Sequence, residues 1–94
     1  DCGNGAAGEI TRRLTAKLPG EHILLYDDID GRFPNHHPDP TVEKNMRDLA
    51  RVVREKGCDV GIGFDGDGDR IGAVTAQGDF IAADLIMAVY AAEV

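Results

Sequence analysis

Residues 60–70 read Val60-Gly61-Ile62-Gly63-Phe64-Asp65-Gly66-Asp67-Gly68-Asp69-Arg70, and Ile71-Gly72-Ala73-Val74 follows directly. Two apolar runs thus flank a loop in which three carboxylates alternate with glycines. A loop this tight joins its flanking strands as antiparallel neighbours. Carboxylates this close repel one another and stay ionised together only beside a partner charge. Oxygen-only ligands at this density suit a hard divalent cation, Mg²⁺ or Ca²⁺ before Zn²⁺. Gly66 and Gly68 let the backbone curl so that Asp65, Asp67 and Asp69 converge on one point. Arg70 adds a fixed charge and a planar donor fork, which suits a phosphate. The stretch predicts a metal-plus-phosphate site on a strand–loop–strand scaffold.

Two other loops share parts of this pattern. A calcium EF-hand also places acids at positions 1, 3 and 5, but it requires Gly at 6 and Glu at 12, where this chain has Arg70 and Ala76. The haloacid-dehalogenase phosphatases resemble the stretch better, with an apolar strand leading into Asp-x-Asp-Gly. Those enzymes usually continue with Thr or Ser, and here Asp69 follows.

Outward from the loop, the pattern alternates between helices and strands. Ile10, Leu14 and Leu18 repeat at helical spacing after a glycine-rich opening, and Pro19-Gly20 ends that helix. A strand is expected over residues 22–27. A Pro-, Asn- and Gly-rich connector then runs to a helix over about 42–56, with Asp39 or Thr41 as its N-cap and Gly57 at its C′ position. Val42, Met46, Leu49 or Ala50, and Val53 form the apolar face of that helix. Strands follow at about 59–65 and 70–76, and a last helix at Leu85 to about Glu93 with Asp84 as N-cap. This order predicts a three-layer α/β/α domain: helices on both faces of a small mixed sheet whose last strand is antiparallel. The whole chain, residues 1–94, reads as one domain.

Three stretches, taken together, resemble one family. Gly63-Phe64-Asp65-Gly66-Asp67-Gly68-Asp69-Arg70 looks like the metal-binding loop of the α-D-phosphohexomutases, the phosphomannomutase/phosphoglucomutase family. Asp1-Cys2-Gly3-Asn4-Gly5-Ala6-Ala7-Gly8 and Phe33-Pro34-Asn35-His36-His37-Pro38-Asp39-Pro40-Thr41 agree with it in order and spacing. The resemblance covers essentially the whole chain, as the second, metal-binding domain of four. It implies intramolecular phosphoryl transfer between hexose 1-phosphate and hexose 6-phosphate. Asp65, Asp67 and Asp69 would ligate Mg²⁺, and Arg70 would contact the phosphate. The nucleophile of that family is a phosphoserine on another domain. This chain contains no serine, so the resemblance casts it as an inactive fragment that holds the metal for its partner domains. A β-strand of the family runs into the position matching Asp1, inside the sheet, and it is largely missing here. The resulting gap is expected to be filled by self-association or by an added segment.

The remaining signals are weaker. Gly3, Gly5 and Gly8, followed by a helix, a strand and Asp27-Asp28, imitate a dinucleotide fingerprint, yet the preceding strand it requires is absent from the chain. Turning the loop and packing the helix close account equally for those glycines. The adjacent His36 and His37 invite zinc, but no other His or Cys stands at ligand spacing. Cys2 and Cys58 form no disulfide framework, which fits reduced thiols in a cytoplasmic protein. A net charge of −7 argues against nucleic acid, and no apolar run is long enough to span a membrane. The absence of an initiator Met fits an excised piece of a longer enzyme.

Overall fold

The computed structural model describes residues 1–81; the expected last helix, with its cap at Asp84, lies outside the described residues. Its elements are helix α1 (Ala7–Thr15), a 3₁₀ turn (Glu43–Met46) running into helix α2 (Arg47–Lys56), and strands β1 (Val60–Phe64), β2 (Ile71–Thr75) and β3 (Phe80–Ile81). The three strands pair antiparallel in chain order, with Val60 opposite Thr75 and Phe64 opposite Ile71. The expected helices on a small sheet are present, and the domain is α/β.

α2 forms where the 3.6-residue periodicity predicted a helix, though its first turn is wound as 3₁₀. Asp39 does not cap it. The Asp39 carboxylate instead closes a local turn, accepting from the Thr41 backbone N–H at 3.0 Å and from its hydroxyl at 2.6 Å. A short acceptor so close to its own backbone satisfies local donors before distant ones. The C-terminal end behaves as expected: Gly57 is left-handed at φ 65°, and Cys58 N–H returns to Val53 C=O. α1 stops at Thr15, before Pro19-Gly20, and Lys17 and Leu18 continue only as turns.

The core is the seam between α2 and one face of the sheet. Met46, Leu49, Val53 and Val74 are buried there, with Leu25, Ala50, Cys58 and Phe80 packed around them. The inward positions of β1 are Gly61 and Gly63. A Cβ on Gly61 would stand 2.7 Å from Val53, and one on Gly63 would stand 2.8 Å from the Met46 sulfur. The glycines therefore set how closely α2 lies on β1, and at this contact the large side chains come from the helix.

The segment over residues 22–27 is not a strand. It has no neighbouring strand to pair with, and backbone polar groups alone do not make a ladder. Between it and β1 lies a groove of about 510 Å³, walled by Leu14 and Leu18 on one side and by Leu49 and Val53 on the other. Val60 and Ile62 of β1 and Ile23 across the gap are each between 43% and 55% exposed. Only Asp1 enters this gap at its end. Its ammonium donates to Ile62 C=O at 2.8 Å, its C=O accepts from Phe64 N–H, and Cys2 N–H donates to Leu25 C=O. Asp1 thus brackets Gly63 as a parallel strand would. Among the described residues, this bridge is the whole of the sheet's mixed character.

Tyr26 ties the unpaired segment to α2, its hydroxyl donating to Asp48 Oδ2 at 2.7 Å. That bond, followed by burial, pushes the phenol above its ordinary value of 10.0. A raised phenol stabilises the fold at every pH below the unfolded value, and the contribution is lost as pH rises through the folded value. Tyr26→Phe is therefore expected to cost about 1 kcal/mol at neutral pH. Denaturant titrations across a pH series should show that difference shrinking only above the ordinary tyrosine range.

Candidate metal centre

The acidic loop begins where β1 ends. Asp65 N–H donates to Arg70 C=O at 3.1 Å, and Gly68 N–H donates to Asp65 C=O at 3.0 Å, so the loop closes on itself before β2 starts. Gly68 takes φ 74°, the conformation a side chain resists, and this turns the chain back toward Asp65. Carboxylate oxygens of Asp65, Asp67 and Asp69 lie within 4.8 Å of one another. Oxygens on opposite sides of one Mg²⁺ or Ca²⁺ ion are about 4–5 Å apart. The three side chains therefore fit a single hard ion.

Their environments differ. Asp65 is buried at 4% exposure, whereas Asp67 and Asp69 face solvent. Burial alone would raise the Asp65 carboxyl. Donors outweigh it: Arg70 Nε at 2.9 Å on Oδ2, with Asp69 N–H at 2.9 Å and Arg70 N–H at 3.3 Å on Oδ1, so this carboxyl lies well below its usual range. Asp69 is pushed the other way, by the Asp65 carboxylate beside it. One member of the triad is thus a permanent anion, and another carries the cost of their repulsion until a cation arrives. Arg70 spends only Nε on Asp65. Among the described residues its two terminal nitrogens make no hydrogen bond, and its side chain is 54% exposed.

Two distant segments hold the loop. On one side Ala6 N–H donates to Gly66 C=O at 2.9 Å. Gly5 lies so near that a Cβ there would come 2.8 Å from the same oxygen. On the other side Phe33 and Pro38 lie 3.5 Å from where a Gly66 Cβ would be. The Asn4 side chain bonds Asp28 C=O and Asn35, joining the glycine turn to the connector. The sequence marks residues 1–8 and 33–41 as motif stretches but not these contacts, because the partners are 24–61 positions apart and meet sterically or mostly through the backbone.

The same contacts dispose of the dinucleotide reading. In the glycine turn, the N–H groups of Gly3, Asn4, Gly5, Ala6 and Gly8 all have partners within the chain. A Cβ on Gly8 would collide with Asp27 C=O. The glycines admit neighbouring backbone, which engages these donors within the chain and leaves no room for a pyrophosphate. His36 and His37 join no cluster of metal-binding side chains; among the described residues only the Asp65, Asp67 and Asp69 group does so.

The fold and site together define an α/β domain with an acidic loop that could hold a cation, beside an arginine whose terminal nitrogens make no hydrogen bond among the described residues. Comparison with known proteins gives the family. The sequence profile of phosphoglucomutase/phosphomannomutase, alpha/beta/alpha domain II, matches residues 1–78, and the chain belongs to that family. It is 48% identical over all 94 residues to a phosphomannomutase/phosphoglucomutase of Pseudomonas putida, and 42% identical to a phosphoglucomutase of Neisseria meningitidis. The crystal structure of a phosphoglucomutase/phosphomannomutase family protein from Burkholderia thailandensis superposes with a TM-score of 0.91 at 44% identity, over 99% of this chain. The chain spans 20% of the length of each of these relatives.

Gly5→Ala is expected to push Gly66 away and to cost about 1–3 kcal/mol through overpacking. Chemical denaturation checks the cost. A ¹⁵N–¹H spectrum should show the largest shifts at Ala6, Gly66 and Gly68.

Proposed function

We propose that this chain is the Mg²⁺-holding domain of a cytoplasmic phosphohexomutase that interconverts hexose 1-phosphate and hexose 6-phosphate through a phosphoserine on another domain. The observation that carries this reading is the convergence of Asp65, Asp67 and Asp69 beside an Arg70 whose terminal nitrogens are free. Phosphoryl transfer asks little covalent chemistry of a protein and much charge neutralisation and positioning. Bound Mg²⁺ would supply a Lewis acid for phosphate oxygens and leave three carboxylates with one net negative charge, which Arg70 cancels. Asp65 anchors Arg70 through Nε, so the outer edge of the guanidinium is oriented toward solvent, where a phosphate oxygen would be received. Asp67 and Asp69, being exposed, are the ligands that a cation meets first.

The relatives support this reading by family, and their names differ in the sugar they mention. That fits a domain whose side chains address metal and phosphate and make no choice of sugar. The lack of serine in this chain supports an isolated domain that is inactive and works only with the other domains of its enzyme.

Asp67→Asn removes a ligand while leaving the hydrogen bonds of Asp65 intact. Calorimetric titration should show Mg²⁺ affinity falling by at least the about 10–100-fold that follows loss of a group that only orients a ligand. A phosphoserine peptide should tighten Mg²⁺ binding to the unaltered chain. Equal Mg²⁺ affinity in the two proteins would overturn the ligand assignment.

The groove beside β1 supports a second part of the reading: the sheet is completed by a further strand, from another copy of the chain or from an added segment. Val60 and Ile62 present apolar side chains at this edge, and an open edge invites pairing. Sedimentation should show self-association of the chain alone. A stable monomer, with mass spectrometry detecting no second polypeptide, would sink the idea.

A further inference from the structure

Asp1 and His36 form a buried pair that the metal site does not use directly. The Asp1 carboxylate is 1% exposed and the His36 side chain 15%. His36 Nε2 is hydrogen-bonded to Asp1 Oδ2 at 2.8 Å, and its Nδ1 to His37 C=O at 2.9 Å. One ring thus ties the buried Asp1 carboxyl to the backbone of the connector. The ring also stands edge-on to Tyr26, with centroids 5.4 Å apart at 71°.

Both ends of this pair lead to the acidic loop. Asp1 grips β1 at Ile62 and Phe64, immediately before Asp65. Its Oδ1 accepts from Gly3 N–H at 2.8 Å, which sets the turn that delivers Ala6 N–H to Gly66 C=O. His37 C=O precedes Pro38, which lies against both Gly3 and Gly66. The ring therefore joins the two walls between which the metal loop is held.

We infer that His36 is a positioning residue for the metal loop: it clasps the connector to Asp1 and so fixes where Gly66, and the carboxylates on either side of it, come to rest. This inference deepens the metal reading and rests on it for its second half. Zinc has no part in it, since both ring nitrogens are occupied by protein oxygens. A residue spent only on general stability would affect the α2 seam and the loop alike. A clasp affects the loop alone.

The test compares the unaltered chain with His36→Ala and His36→Gln, the latter keeping an amide that can donate to Asp1. Amide hydrogen exchange of the metal-free proteins is read at Ala6 and Gly68 for the loop and at Val53 for the core. Mn²⁺, as a probe ion, is titrated by electron paramagnetic resonance well below the thermal midpoint of each protein. In His36→Ala, exchange at Ala6 and Gly68 should quicken several-fold while Val53 is unchanged. Loss of a group that hydrogen-bonds a metal ligand costs about 10–100-fold in metal affinity, and His36 touches no ligand directly, so Mn²⁺ affinity should fall about three- to tenfold. His36→Gln should recover part of both effects. Equal acceleration at loop and core, or Mn²⁺ affinity unchanged in His36→Ala, would overturn the clasp. No Mn²⁺ binding by the unaltered chain would overturn the metal reading and the affinity half of this inference, and loop-selective exchange would still decide the mechanical half.

Discussion

Three carboxylates held within 4.8 Å of one another are the constraint around which this domain is built. Left to itself, such a loop would splay, because each anion gains by moving toward water and away from its neighbours. The structure prevents this in unequal ways. Asp65 is buried and saturated by donors, which keeps it ionised and in place. Asp67 and Asp69 remain exposed, and Asp69 shows the strain of its position by holding its proton more tightly. A cation would relieve that repulsion, so the site is pre-formed on one side and responsive on the other.

Pre-formation comes from backbone packing more than from side chains. The loop is bounded by the glycine turn at residues 3–8 and by the connector around Phe33 and Pro38. Main-chain hydrogen bonds and close contacts at glycine leave little freedom to relax, since a Cβ added at Gly5 or Gly8 meets backbone atoms that cannot rotate away. The same economy appears under α2, where Gly61 and Gly63 let Leu49, Val53 and Met46 lie directly on the strand. Small residues on the strand and large ones on the helix make one continuous seam, which runs straight to the metal loop.

The open groove is the counterpart of this rigidity. One side of β1 is closed by β2, and the other is bridged by Asp1 alone. Apolar side chains at 43–55% exposure along this edge are more than a small domain usually leaves in water. The segment across the groove pairs with no strand among the described residues. The groove and the acidic loop meet at Asp1.

The acidic loop, its flanking strands, the helix over α2 and the Gly57 terminus were legible in the sequence, because each rests on local spacing: alternate acids between glycines, a 3.6-residue apolar repeat, a glycine where φ must be positive. The position of Arg70 beside the acidic loop was legible in the same way. The segment over residues 22–27 was misread because its composition is that of a strand, and only a neighbour could have made it one. Asp39 was misread as a helix cap because its nearest donors, on Thr41, bind it first. Local chemistry thus determined which residues form the acidic group. Tertiary structure alone decided what keeps them together: Asp1 with His36, Ala6 with Gly66, and Pro38 over Gly3. These pairs lie between 35 and 60 residues apart, a separation at which no periodicity or motif survives and only the folded chain brings the groups into contact.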